Sequence, residues 1–76
     1  MQKRYITVES ITDSDGVVMP VRIIWDDGRC WAIKKVLHTC TASHREFEGI
    51  RYTVKIGSAE KYIYRDGLRW YVGHSP

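Results

Sequence analysis

The chain has 76 residues, 43% of them hydrophobic and 28% charged, with a formal net charge of +3. That balance excludes a disordered segment, and so small a charge excludes a polybasic nucleic-acid arm. A chain this short hides only about 60% of its unfolded surface, so residues 1–76 are expected to form a single β domain with a dense core. Three Trp, five Tyr and one Phe supply buried area efficiently to such a core.

No run of about 18 apolar residues occurs, because Pro20 and Arg22 interrupt the best stretch. The charged start, Met1 to Thr7, has no apolar stretch behind it, so no signal peptide is expected. Cys30 and Cys40 are fewer cysteines than a small secreted domain carries. The expectation is a cytoplasmic protein with reduced thiols, without a disulfide between them.

From Arg4 to Ile11 apolar and polar residues alternate, Ile6 and Val8 pointing one way and Tyr5, Thr7 and Glu9 the other, which predicts a half-buried strand. Asp13-Ser14-Asp15-Gly16 is a turn. Val17 to Trp25 is apolar and β-branched, and Pro20, which cannot donate to a ladder, marks an edge, bulge or bend. After Asp26-Asp27-Gly28 a strand runs from Arg29 to Leu37, with a bulge suggested where Lys34-Lys35 precedes Val36-Leu37. Ser43-His44-Arg45-Glu46 fits a capping box, and Gly49 would end the helix, so one helical turn over 43–48 or a structured loop is expected there. Ile50 to Ile56 alternates without error, with Arg51, Thr53 and Lys55 outward. Gly57 to Glu60 turns the chain. Lys61 to Arg65 and Leu68 to Val72 form a last hairpin before the tail, 73–76.

Two segments share a pattern of aromatic, any residue, Asp-Gly, two residues, Trp: Trp25 to Trp31 and Tyr64 to Trp70. Asp-Gly between β-forming arms is a strong hairpin signal, because Gly accepts the positive φ of a tight turn. The fold class is all-β: a small antiparallel barrel or rolled sheet of six to seven strands with tight Asp-Gly hairpins. Trp25, Trp31 and Trp70 are expected in its core, and Leu68 on the same face as Trp70 and Val72. A two-residue Asp66-Gly67 turn would put Tyr62 and Tyr64 outside; a three-residue Arg65-Asp66-Gly67 turn would put them inside.

Pro20-Val21, Ile23, Trp25, Asp27-Gly28-Arg29, Ile33, Val36-Leu37, Gly49, Arg51-Tyr52-Thr53 and Arg69-Trp70-Tyr71-Val72 together resemble a group of small uncharacterised bacterial proteins. These share a Pro-Val-x-Ile-x-Trp start, an acidic-Gly-Arg turn, an Arg-Tyr-Thr strand and a Trp-Tyr-Val ending. The resemblance spans about three quarters of the chain and implies a common fold. It carries no activity over.

Chemistry-bearing residues have plain structural readings beside the functional ones. His38, Cys40 and His44 lie close in sequence, but zinc needs four ligands and no Cys-x-x-Cys occurs. Neither cysteine stands in a nucleophile context. Asp13, Asp15, Asp26, Asp27 and Asp66 sit in turns, where Asp belongs for backbone reasons. A domain of this size leaves little room for a deep pocket. No enzyme activity, metal or cofactor is expected, and no membrane association.

The expected function is that of a non-catalytic binding module, engaging a protein partner or itself through a sheet face or edge. The alternative is single-stranded nucleic acid held on a basic-aromatic sheet face. The candidate binding residues are Arg51, Lys55, Arg69 and Tyr71, with Tyr62 and Tyr64 added if they face outward.

Overall fold

A computed structural model describes residues 2–42 and 47–74. It is all-β: β1 (Gln2–Thr12), β2 (Val18–Ile24), β3 (Cys30–Ala32), β4 (Lys35–Thr41), β5 (Ile50–Ile56), β6 (Ala59–Asp66) and β7 (Arg69–His74). Among the described residues no helix is long and apolar enough to cross a membrane. The strands form one antiparallel sheet in the order β3-β2-β1-β7-β6-β5-β4, curled into a half-barrel.

The curl follows from the chain itself. β3 and β4 lie at opposite ends of the strand order, yet only Ile33 and Lys34 separate them. The three Cα–Cα steps from Ala32 to Lys35 span at most about 11 Å, so the two ends of the sheet must come together at this corner. The Ile33 N–H donates to the Val21 carbonyl (3.0 Å) and the Lys34 N–H to the Lys55 carbonyl (2.8 Å), which binds the corner to both sides. Across the interior the Tyr52 hydroxyl donates to the Val18 carbonyl at 3.1 Å. The strand expected from Arg29 to Leu37 is therefore two strands with a bend, and its bulge falls at Leu37, between Val36↔Val54 and His38↔Thr53. Pro20 sits opposite Ser10, where β2 slips past β1 by one residue.

Turn chemistry sets the registers. Asp26-Asp27-Gly28 is a three-residue loop closed by Trp25 N–H to Arg29 carbonyl (2.8 Å), with Gly28 at φ +89°. The last hairpin differs from both expected registers: Asp66 pairs with Arg69, so its turn residues are Gly67 and Leu68. A glycine with positive φ at the first turn position matches the twist of the flanking strands, and Gly67 has φ +63°. Moving the turn by one residue removes Leu68 from the expected core face and leaves it 98% exposed.

The concave side holds the main core of Ile23, Tyr52, Val54, Ile63 and Trp70, with Ile6, Val8, Ile56 and Val72 packed against it. Trp70 is buried as expected, its ring tilted on Tyr52 at 5.2 Å. Trp25 and Trp31 are only half-buried, in edge-to-face contact at 5.7 Å near the rim. The helical turn expected over 43–48 lies outside the described residues, except for Phe47 and Glu48, which are not helical.

Candidate functional site

On the convex side, pairing registers bring the sequence candidates together. Arg51 lies opposite Tyr64, Thr53 opposite Tyr62, Lys55 opposite Glu60, and Tyr64 opposite Tyr71. Residues directly opposite share a face, so Arg51, Lys55, Tyr62, Tyr64 and Tyr71 are on one side of one sheet. Arg69 is two residues from Tyr71 on the same strand and shares that side. Tyr5 joins them through its pairing with Tyr71.

The sidedness agrees with the sequence, but the expected exposure does not. Tyr71 is 0% and Tyr64 6% exposed. Their rings stack on each other at 4.9 Å, and Phe47 closes on Tyr64 at 5.2 Å. Phe47, just before β5, lies over the convex face, and Cys40 and Ala42 add to the apolar contacts of this second core. Alternation along a strand states which side a residue faces. It does not state whether another segment covers that side, and here Phe47 and Glu48 do.

Polar atoms fix the cover in place. The Glu48 N–H donates to the Tyr71 hydroxyl oxygen at 3.1 Å, and that hydroxyl donates to the Glu48 carbonyl at 2.7 Å. Burial pushes the Tyr71 hydroxyl above its usual pKa, which keeps it neutral. Lys3 reaches Glu48 at 2.8 Å while its ammonium lies 5.1 Å from the Tyr71 ring centre. Gly49 permits the approach: at φ +83°, an added Cβ would fall against the Arg65 carbonyl.

Two cations of this face, Arg51 and Arg69, already have partners. The Arg51 guanidinium is 4.5 Å from the Tyr62 ring centre and 5.0 Å from that of Phe47. Arg69 is 4.3 Å from the Tyr5 ring centre. Arg51 is half-buried, whereas Lys55, Arg69 and Tyr62 are exposed. Two rings, Tyr5 at 43% and Tyr62 at 53%, are left open to solvent on either side of the buried pair.

The other candidate site was not foreseen. The β6–β7 ladder runs only through Asp66↔Arg69, Arg65↔Trp70 and Tyr64↔Tyr71. Beyond it, Ala59–Ile63 pair with β5 alone, and Val72–His74 pair with β1 alone. The two strands part, and an open cavity of about 1110 Å³ lies where they diverge. Ile23, Trp25, Trp31, Ile56, Ile63 and Val72 give it an apolar lining, and its charged lining residues are Lys34 and Lys61. The expectation is of little room for a deep pocket, and this cavity is wide and open rather than deep. An incomplete barrel exposes its interior, whereas a closed one of this size would fill it with side chains.

Metal and nucleophile candidates find no constellation. Among the described residues no three His, Cys, Asp or Glu side chains gather as metal ligands. His38 and Cys40 share the convex side of β4, across from Thr53 and Arg51. Cys30 is exposed on β3, with its thiol donating to the Gly28 carbonyl at 3.6 Å. His44 and the capping-box residues lie outside the described residues. No family, no curated protein and no solved structure matches this chain.

Proposed function

We propose that the domain is a non-catalytic binding module that engages a protein partner on its concave side, where β6 and β7 part. The observation that carries this reading is the open, apolar cavity between two strands that stop pairing. Exposed apolar surface on a small domain costs solubility and is characteristic of interaction sites. Among the described residues, the lining brings aromatic and aliphatic side chains with two lysines and neither a carboxylate nor a histidine. That chemistry suits recognition rather than acid–base or metal-assisted reaction.

Single-stranded nucleic acid on the convex face is the second reading. It draws support from Tyr62, Lys55 and Arg69, which are exposed there. Against it, base stacking needs open rings, and Tyr64 and Tyr71 are buried beneath Phe47. The cations of Arg51 and Arg69 are also engaged by rings of the protein itself.

Panning a displayed random-peptide library on the immobilised chain tests the choice. The expected result is enriched peptides that bind the purified protein and change the indole emission of Trp25 and Trp31, which line the cavity. A labelled single-stranded oligonucleotide bound at low salt and released as salt rises, with no peptide enriched, would transfer the function to the convex face.

A further inference from the structure

We propose that the slot between β6 and β7 takes up one extended segment of a partner protein as an added β-strand, and that this segment carries a carboxylate facing Lys61. The inference rests on the protein-binding reading above and specifies how the partner is held. Its first support is which atoms face the cavity. Four consecutive residues of β6, Lys61 to Tyr64, line it. Consecutive strand residues point to opposite faces, so a cavity touching all four meets β6 along its edge. The same holds at the sheet's end strand, β3, where Cys30, Trp31 and Ala32 all line the cavity.

An open edge is a row of backbone donors and acceptors without strand partners, and it templates another strand. The stretch Ala59–Ile63 is five residues long, about 17 Å of edge at the usual rise per residue. Apolar side chains back it: Ile63 from β6 and Val72 from β7. A strand laid there would meet hydrogen-bonding groups along its backbone and apolar residues at alternate side chains.

Charge selects the occupant. Lys34 and Lys61 are the charged residues of the lining, and the whole chain carries +3. A second copy of this chain, paired edge to edge, would bring like charges together, which disfavours the slot as a dimer contact. A segment bearing Asp or Glu gains an opposite-charge pair across the strands instead. Lys61 is exposed and lies across from Val54, so its register position places it on the concave side, two residues before Ile63.

The test uses the full chain and an acetylated, amidated seven-residue peptide in which Val alternates with Thr around one central Glu. Matched peptides replace the Glu with Gln or Lys, and a fourth is N-methylated along its backbone. We expect the Glu peptide to bind, the Gln peptide to bind up to about fivefold more weakly, and the Lys peptide more weakly still. Lys61→Glu in the protein should reverse the order of the Glu and Lys peptides, and N-methylation should abolish binding. Equal affinity of the Glu, Gln and Lys peptides overturns the carboxylate. Equal binding by the N-methylated peptide overturns strand addition while leaving the protein-binding reading standing. Binding by none of the four, while panned peptides do bind the chain, overturns the slot. A concentration-dependent dimer that the Glu peptide dissociates would show that a second copy occupies it, and overturns the proposal as well.

Discussion

Single residues on the convex face act chiefly through what they hold down. The Tyr71 hydroxyl both donates to and accepts from the backbone of Glu48, so Tyr71→Phe keeps the ring and removes two hydrogen bonds. We expect a loss of about 1–2 kcal/mol in urea unfolding, the range for backbone groups stripped of a part-buried partner. Faster hydrogen exchange at Glu48 should accompany it. The neighbouring ion pair predicts a pH dependence. The Lys3 ammonium, hydrogen-bonded to Glu48, holds that carboxyl below its ordinary value of 4.5. A carboxyl lowered in the folded state contributes stability above its unfolded pKa, and that contribution is lost as pH falls through the lower, folded value. Melting temperatures taken from pH 6 down to pH 3 should therefore fall less steeply for Lys3→Met than for the native chain, and added salt should narrow the difference. The alternation of Ile50 to Ile56 made the outward position of Arg51 and Lys55 readable. That Tyr71 is sealed was not readable, because the sealing residues lie more than twenty positions away, in a segment whose one large apolar residue is Phe47.

At the scale of elements, turns decide what alternation leaves open. Asp-Gly correctly marked both hairpins, but the dipeptide plays a different part in each. Gly28 ends a three-residue loop, whereas Gly67 opens a two-residue one with Leu68 behind it. The sequence signal names the glycine's need for positive φ, and either geometry meets that need. Leu68 therefore left the core, and Tyr62 and Tyr64 faced outward by a register that the residues alone did not distinguish. Glycines in these connections should also differ in tolerance. Gly28 has φ +89° with open space around it, so Gly28→Ala should cost only the left-handed backbone term, about 1–2 kcal/mol. At Gly49 the same substitution adds a clash with the Arg65 backbone. We expect Gly49→Ala to destabilise by clearly more than Gly28→Ala in urea unfolding, and to expose Tyr64 and Tyr71, read as a change in tyrosine fluorescence. Equal costs would mean that the β4–β5 connection yields without loss and does not hold the second core.

For the molecule as a whole, the central fact is a sheet whose two ends meet at Ile33 and Lys34 while its middle opens between β6 and β7. The closure was foreseeable in kind, since a short antiparallel sheet must curl to hide one face. The opening was not, because Lys61 to Ile63 read as an ordinary strand arm and Gly73-His74 as a tail, whereas both of the latter extend β7 along β1, and nothing in their composition says where a ladder stops. A barrel closed all round would protect every strand amide, whereas an opened one leaves a specific signature. In Ala59–Ile63 the amides aimed at β5 are hydrogen-bonded within the sheet, and the alternate amides of an antiparallel strand point the other way, to the side on which β7 no longer pairs. In Val72–His74 the same division holds between β1 and the gap. Residue-resolved hydrogen exchange should therefore alternate along these two stretches, protected and unprotected by turns. Tyr64, Arg65, Arg69 and Trp70, inside the β6–β7 ladder, should be protected without alternation. The core strand β5, paired on both sides by β4 and β6, supplies the internal reference for full protection. Uniform protection from Ala59 to Asp66 would show that β6 and β7 pair along their whole length in solution. The cavity would then be closed, and with it the concave binding site. Alternation would establish the open edge independently of any ligand, since it is measured on the protein alone.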